Sequence, residues 1–116
     1  MQYLLLIYQN EAEVEKMAEA QMKQVHADYM AFTQSIVQSG HFKGGDALQR
    51  SSTATTVRVR NGKALTTDGP FAETREQLAG YYMIEAKDLD QAVTVAERIP
   101  SAKWGSVEVR PVRKFD

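Results

Sequence analysis

The sequence contains no cysteine among its 116 residues. The chain therefore has no disulfide bond, no thiolate metal ligand and no cysteine nucleophile. Its formal net charge is only −1, so no broad field attracts nucleic acid and direct nucleic-acid binding is not expected. The apolar run at residues 3–8 is too short for a membrane span or a signal peptide. We therefore expect a cytoplasmic protein that forms one domain over residues 1–116.

Two apolar runs predict the centre of a β-sheet. Residues 3–8 and 81–84 are continuously apolar rather than alternating, which is typical of strands that are covered on both faces. Shorter strands are expected within residues 42–49 and over residues 107–110, where Pro111 places the last strand at an edge or ends it.

The segment between the first two strands predicts a long amphipathic helix. Asn10 and Glu13 have the spacing of a helix start with Asn10 as the N-cap, and Gly40 is the expected left-handed stop after Ser39. His26 lies at the margin of the apolar stripe, where a structural or surface histidine and a functional one both fit the pattern. The stripe consists of Val14, Ala18, Met22, Val25, Tyr29, Phe32 and Ile36.

A β-hairpin is predicted in the middle of the chain. Residues 55–60 alternate between apolar and polar side chains, Asn61–Gly62 predicts a type I′ turn, and residues 63–67 return as the partner strand. Arg58 and Arg60 share one face, which either meets an anionic ligand or is simply solvated.

The segment after the hairpin begins with a tight turn. Asp68 can accept a hydrogen bond from the following backbone, Gly69 tolerates positive φ, and Pro70 has a fixed φ. The capping-box spacing of residues 74–77 predicts a single helical turn, which Gly80 would end. Asp68 either only closes the turn or contributes a carboxylate to a functional site.

The last third of the chain predicts a second helix and a loop. Asp88 is the expected N-cap, with Gln91 at the capping-box position, and Pro100 ends the helix. Trp104 lies in the loop that follows, where a tryptophan acts as a lid over a pocket or as an interface anchor.

This order of elements predicts an α+β fold, a ferredoxin-like sandwich with an inserted β-hairpin. Two helices cover only one face of such a sheet, whereas its central strands are apolar on both. We therefore expect a homodimer in which the second sheet face packs on the other copy.

Residues 67–85, TDGPFAETREQLAGYYMIE, resemble the signature of the DGPF-type proteins, a branch of the YCII-related family. The opening MQYLLLIY and the closing VEVRPV are similar to that branch as well, so the resemblance spans nearly the whole chain. It implies a dimeric α/β barrel. It also implies a histidine on the first helix that pairs with an aspartate as a dyad; His26 is the matching histidine, and Asp68 is the candidate aspartate.

Two functions follow as expectations. In the first, the protein is a small-molecule enzyme with lyase, isomerase or dehydrochlorinase-like proton-transfer chemistry, in which His26 is the general acid or base and Asp68 orients it. Tyr8, Tyr82 and Trp104 are then the candidate substrate-binding residues. In the second, the protein binds a small ligand without catalysis, and the resemblance suggests a regulatory link to a sigma factor. No cofactor is expected, and two histidines without clustered carboxylates make a poor metal site.

Overall fold

The computed structural model describes residues 1–115, which form six strands and three α-helices. Short 3₁₀ helices cover Ser51–Thr53 and Pro100–Lys103. No helix in the described chain is long and apolar enough to cross a membrane. In order, the elements are β1 (Gln2–Gln9), α1 (Glu11–Glu15), α2 (Glu19–Gln38), β2 (Phe42–Ala47), β3 (Thr55–Arg60), β4 (Lys63–Asp68), β5 (Gln77–Glu85), α3 (Leu89–Glu97) and β6 (Ser106–Pro111).

Four of the strands form one antiparallel sheet in the order β2-β5-β1-β6. With α2 after β1 and α3 after β5, this order is the split β-α-β topology of a ferredoxin-like sandwich. The two apolar runs are the central strands, as predicted, and Pro111 ends the edge strand β6, where a missing N–H donor is tolerated.

The core lies between one face of this sheet and the helices. Tyr3, Leu5 and Ile7 of β1 are buried against α2 and α3, and the residues between them are only half-buried. The continuous apolar run therefore has one face in the core of its own chain and one face that α2 and α3 leave open. The buried cluster consists of Tyr3, Leu5, Ile7, Phe32, Ile36, Tyr82, Ile84, Ala86, Ala92, Val95, Ala96 and Ile99.

The predicted N-caps of the two main helical segments, Asn10 and Asp88, are confirmed. The Asn10 side chain accepts a hydrogen bond from the Glu13 N–H (3.1 Å), and the Asp88 side chain accepts one from the Gln91 N–H (2.9 Å). Gly40 has a φ of +82°, the left-handed conformation expected after the helix.

The prediction of one continuous helix from Asn10 to Ser39 is wrong, because α1 and α2 are separate. Residues 16–18 are Lys, Met and Ala, so no helix-breaking residue causes the interruption. Instead, α1 is tied to distant segments. The Glu11 N–H donates to the Gln77 side chain (2.9 Å), and the Glu11 carboxylate accepts from the Ser51 N–H and hydroxyl (2.7 and 2.8 Å). These bonds orient α1, while packing of the apolar stripe orients α2.

The predicted helical turn between Thr74 and Gln77 is also wrong, because this segment is an irregular loop and Gln77 already begins β5. Side-chain bonds replace the helical ones: Thr74 donates to the Glu76 carbonyl (2.5 Å), and Gln77 donates to the Thr74 carbonyl (2.6 Å). Gly80 lies within β5, where a Cβ would approach the Asp46 carbonyl to 2.8 Å. The glycine therefore permits close strand approach and does not end a helix.

The strands β3 and β4 form a separate two-stranded sheet, called here the arm (residues 55–68). Asn61 and Gly62 have φ values of 52° and 76°, so the predicted type I′ turn is confirmed. At the base, the Gly69 N–H donates to the Ala54 carbonyl (2.7 Å) and Thr56 donates to the Gly69 carbonyl (2.9 Å). Every residue of β4 is exposed, and in β3 only Thr56 is partly covered.

Candidate functional site

A cavity of about 470 Å³ lies between α2 and the part of the sheet formed by β2 and β5. Its size falls within the range of roughly 300–1,000 Å³ that is typical of small-molecule sites. Its walls are Ile7, Gln9, Val14, Met22, Val25, His26, Tyr29, Thr33, Phe42, Gly45, Asp46, Ala47, Leu48, Ala79, Gly80, Tyr81, Tyr82 and Trp104.

Three of the sequence-predicted site residues line this cavity: His26, Tyr82 and Trp104. His26 projects from α2 with an exposed side chain, so a bound molecule and solvent can both reach its imidazole. Trp104 follows the short helix Pro100–Lys103 and is 36% exposed. A histidine open to both ligand and water is suited to exchange protons with them.

The other two predicted residues lie elsewhere. Asp68 ends β4 at the base of the arm, with an exposed side chain, and it is not part of the cavity wall. Tyr8 is half-buried on β1, next to an irregularity in the pairing with β5, and it too lies outside the wall. The structure thus brings His26, Tyr82 and Trp104 to one cavity and places Asp68 and Tyr8 apart from it.

Two pairs of hydroxyl groups add polar character to the α2 side of the cavity. Thr33 Oγ1 lies 2.6 Å from the Tyr82 hydroxyl, and the Tyr29 hydroxyl lies 2.5 Å from Ser101 Oγ. Burial raises the pKa of both tyrosines above the ordinary value, since the phenolate would lose hydration. Both phenols therefore stay protonated at neutral pH and can serve as neutral hydrogen-bonding groups.

The position of Tyr82 is set by aromatic packing. Its ring meets those of Phe32 and Phe42 edge-on, with centroid distances of 5.3 and 6.3 Å. Such edge-to-face contacts favour a defined ring orientation. On the sheet side, a Cβ at Gly45 would lie 2.8 Å from the Tyr81 carbonyl and 2.9 Å from the Tyr82 ring, so a glycine is needed there.

Asp46 is a cavity residue that the sequence reasoning missed. It lies on β2 opposite Tyr81, whose hydroxyl donates to the Asp46 carboxylate at 2.9 Å. Tyr81 alternates with the buried Tyr82 along β5, so this carboxylate lies on the open face of the sheet and not on the face that α2 covers. This hydrogen bond, together with the negative charge, raises the pKa of Tyr81. The sequence feature that could have indicated Asp46 is Gly44-Gly45-Asp46, in which two glycines let the strand that carries the carboxylate lie close to a central strand.

The charges in the cavity wall are few. Among residues 1–115, Asp46 is the only acidic residue and His26 the only histidine that line the cavity, and no lysine or arginine lines it. A pocket without a fixed cation is poorly suited to phosphate or other multiply charged anions. Within residues 1–115, no three His, Asp or Glu side chains cluster in a way that could hold a metal ion. The arrangement is suited to binding a small, mainly apolar molecule and moving a proton on it.

Fold and site together define a ferredoxin-like α+β protein with a cavity of about 470 Å³ beside its longest helix. The chain belongs to the YCII-related domain family, whose model matches residues 1–116. It is 34% identical over 117 residues to the uncharacterized protein R00369 of Rhizobium meliloti (strain 1021). That similarity covers 99% of this chain and 94% of the relative.

Proposed function

We propose that the protein is an enzyme that transfers protons on a small molecule bound in the cavity, with His26 as general acid or base. The observation that carries the proposal is the position of His26 in the wall of a 470 Å³ cavity beside two tyrosine hydroxyls. An imidazole side chain can accept and return a proton near neutral pH. Isomerisation or elimination is the class of reaction that such an arrangement supports.

Two aspartates are candidates for the carboxylate that would assist His26. Asp68 is supported by the resemblance of residues 67–85 to the DGPF-type branch, to which we assign the chain. Asp46 lines the same cavity as His26, but it is the weaker candidate, because its carboxylate accepts from Tyr81 on the sheet face opposite Tyr82. A carboxylate would orient the imidazole and stabilise its protonated form. Parallel Asp46→Asn and Asp68→Asn variants separate these roles.

The cavity wall favours a substrate with little or no negative charge. Its apolar part includes Ile7, Val14, Val25 and Leu48, and its neutral hydroxyls offer hydrogen bonds to one or two polar substituents. A molecule with an apolar body and a hydroxyl or carbonyl group matches this combination.

The proposed enzyme is a homodimer that packs sheet to sheet, as a dimeric α/β barrel. A monomeric protein of 13.0 kDa is expected to expose about 6,300 Å², and this chain exposes 8312 Å². The excess of about 2,000 Å² is larger than one partner's share, about 800 Å², of a standard interface. The half-buried apolar side chains on the open sheet face, Leu4, Leu6 and Met83, are suited to this contact.

A thermal-shift screen of small neutral and anionic metabolites tests the proposal, because a ligand of the native state raises the melting temperature. Compounds that bind are then assayed for turnover. His26→Ala should abolish turnover and leave the unfolding transition unchanged. The matched control is His41→Asn, whose amide can replace the hydrogen bond between the His41 ring and the Glu85 carbonyl (2.8 Å). Full turnover in His26→Ala would refute the catalytic role, and ligand binding without any turnover would indicate a binding protein.

A further inference from the structure

We infer that the arm docks through one of its faces on a second copy of this chain. The inference rests on the homodimer proposed above but goes beyond sheet-to-sheet packing. It assigns a contact to residues 55–68, which hardly touch the rest of their own chain.

The two faces of the arm differ in chemistry. Directly paired residues share a face, and successive residues alternate between faces. One face contains Val57, Val59 and Ala64 and is called here the valine face; its remaining residues are Thr55, Thr66 and Asp68. The opposite face carries Arg58, Arg60 and Lys63, with Thr56, Leu65 and Thr67.

One apolar face and one basic face are typical of a two-stranded ribbon that packs one face on a core and exposes the other to water. The basic face would lose the hydration of three cations on burial, which costs free energy unless each cation is paired. The valine face has no cation, and its single charge, Asp68, lies at the base of the arm. The valine face is therefore the one that docks.

The chain itself does not supply the core that the valine face needs. Val57 and Val59 remain 60% and 62% exposed. An isolated two-stranded hairpin is only marginally stable in water, yet the arm has six residues in each strand and a well-formed turn. Packing on another surface would supply the missing stabilisation.

The amount of accessible surface left uncovered supports a second copy of this chain as the surface on which the valine face docks. The open sheet face spans four strands of six to nine residues, a footprint of roughly 400 Å². Protruding side chains enlarge the area of this face, but the face still accounts for only part of the excess accessible surface of about 2,000 Å². The radius of gyration points the same way, since it is 16.2 Å compared with about 13 Å for a compact domain of this length. A dimer with docked arms covers both surfaces with one partner.

Isotope-filtered nuclear Overhauser spectroscopy on a mixed dimer tests the contact directly. One population is labelled at its valine methyl groups, the other is unlabelled, and the two are unfolded together and refolded. We expect cross-peaks from the Val57 and Val59 methyls to protons of the unlabelled chain. Val37, which is 53% exposed on α2, should show none.

Substitution supplies a second readout. Threonine has the shape of valine and a high β-propensity, so Val57→Thr with Val59→Thr should keep the arm folded but weaken an apolar contact. We expect the dimer dissociation constant to rise by at least about tenfold, because two valines from each chain lose their burial. Val37→Thr is the matched control, and its dissociation constant should change by less than about twofold.

The outcomes separate this inference from the proposed homodimer. A monomer in sedimentation equilibrium at micromolar concentration would overturn both. A stable dimer without the intermolecular cross-peaks, or with equal effects of the arm and control variants, would overturn the arm contact alone. Cross-peaks at both valines with selective weakening would establish it.

Discussion

At the residue scale, the cavity depends on a few side chains held by specific neighbours. Tyr29 is held by Ser101, a fully buried residue that also donates to the Gln9 side chain (3.2 Å). Tyr82 is held by Thr33 and by two aromatic rings. His26, by contrast, has an exposed side chain and ordinary access to water. A rigid hydroxyl-bearing wall beside an accessible imidazole is the physical basis of the proposed proton transfer.

The contact between Tyr81 and Asp46 predicts a change in titration. The raised pKa of Tyr81 comes first from its hydrogen bond to the Asp46 carboxylate and then from the negative charge. Asp46→Asn keeps an acceptor but removes the charge, so the pKa of Tyr81 should fall towards the ordinary tyrosine value, about 10. Spectrophotometric titration, with the Tyr81→Phe variant as reference, measures this pKa of Tyr81. An unchanged Tyr81 titration would show that Asp46 does not control this phenol.

The same contact has a consequence for stability at high pH. A group whose pKa is higher in the folded state stabilises the fold fully below its unfolded pKa, and this contribution is lost as the pH rises through the folded pKa. The native protein should therefore lose stability above about pH 10, and Asp46→Asn should show a smaller loss over that range.

Gly45 predicts a packing cost at the cavity wall. A Cβ at this position would lie 2.8 Å from the backbone oxygen of Tyr81, which cannot move without distorting the sheet. Gly45→Ala should lower the free energy of unfolding by about 1–3 kcal/mol, measured by urea denaturation. Gly44→Ala is the matched control on the same strand, since nothing lies within 4 Å of its Cβ. Equal stability of the two variants would contradict the close strand approach.

At the element scale, two of the three α-helices begin with a side-chain cap, whereas the break between α1 and α2 depends on contacts with distant segments. Asn10 caps α1 and Asp88 caps α3. The first residue of α2 has no such cap, because Ala18 precedes it. The caps could be predicted from the sequence because they involve residues only three positions apart. The break between α1 and α2 could not, because it depends on bonds from Glu11 to Ser51 and Gln77.

The cap of α3 predicts a local loss of stability. Asp88 accepts the Gln91 N–H, so Asp88→Ala leaves that donor without its partner. The free energy of unfolding should fall by about 1 kcal/mol, measured by thermal denaturation. Asp90→Ala is the control, because Asp90 lies in the same first turn without making this bond. A control that is as destabilising as Asp88→Ala would assign the effect to helix charge rather than to capping.

At the scale of the whole molecule, the described chain is broad and thin, with extents of 48 × 48 × 19 Å. Its helices cover one face of the sheet, and its arm stands outside that layer. This shape explains why the accessible surface exceeds that of a compact monomer of the same mass.

The proposed homodimer should melt at a temperature that depends on protein concentration. Dissociation accompanies unfolding in such a dimer, so mass action favours the folded state as protein is added. Raising the concentration a hundredfold should therefore raise the melting temperature in calorimetry. A melting temperature that is independent of concentration would indicate that the single chain is stable alone.

The sequence by itself determined the features that depend on neighbouring residues. The helix caps at Asn10 and Asp88, the Asn61–Gly62 turn and the central apolar strands need only local spacing and side-chain chemistry, and these features are present. Tertiary structure alone decided that residues 74–77 form a loop and that Asp68 lies apart from the cavity that His26 lines. These outcomes depend on strand pairing between residues far apart in the chain, and a local pattern carries no information about such pairing.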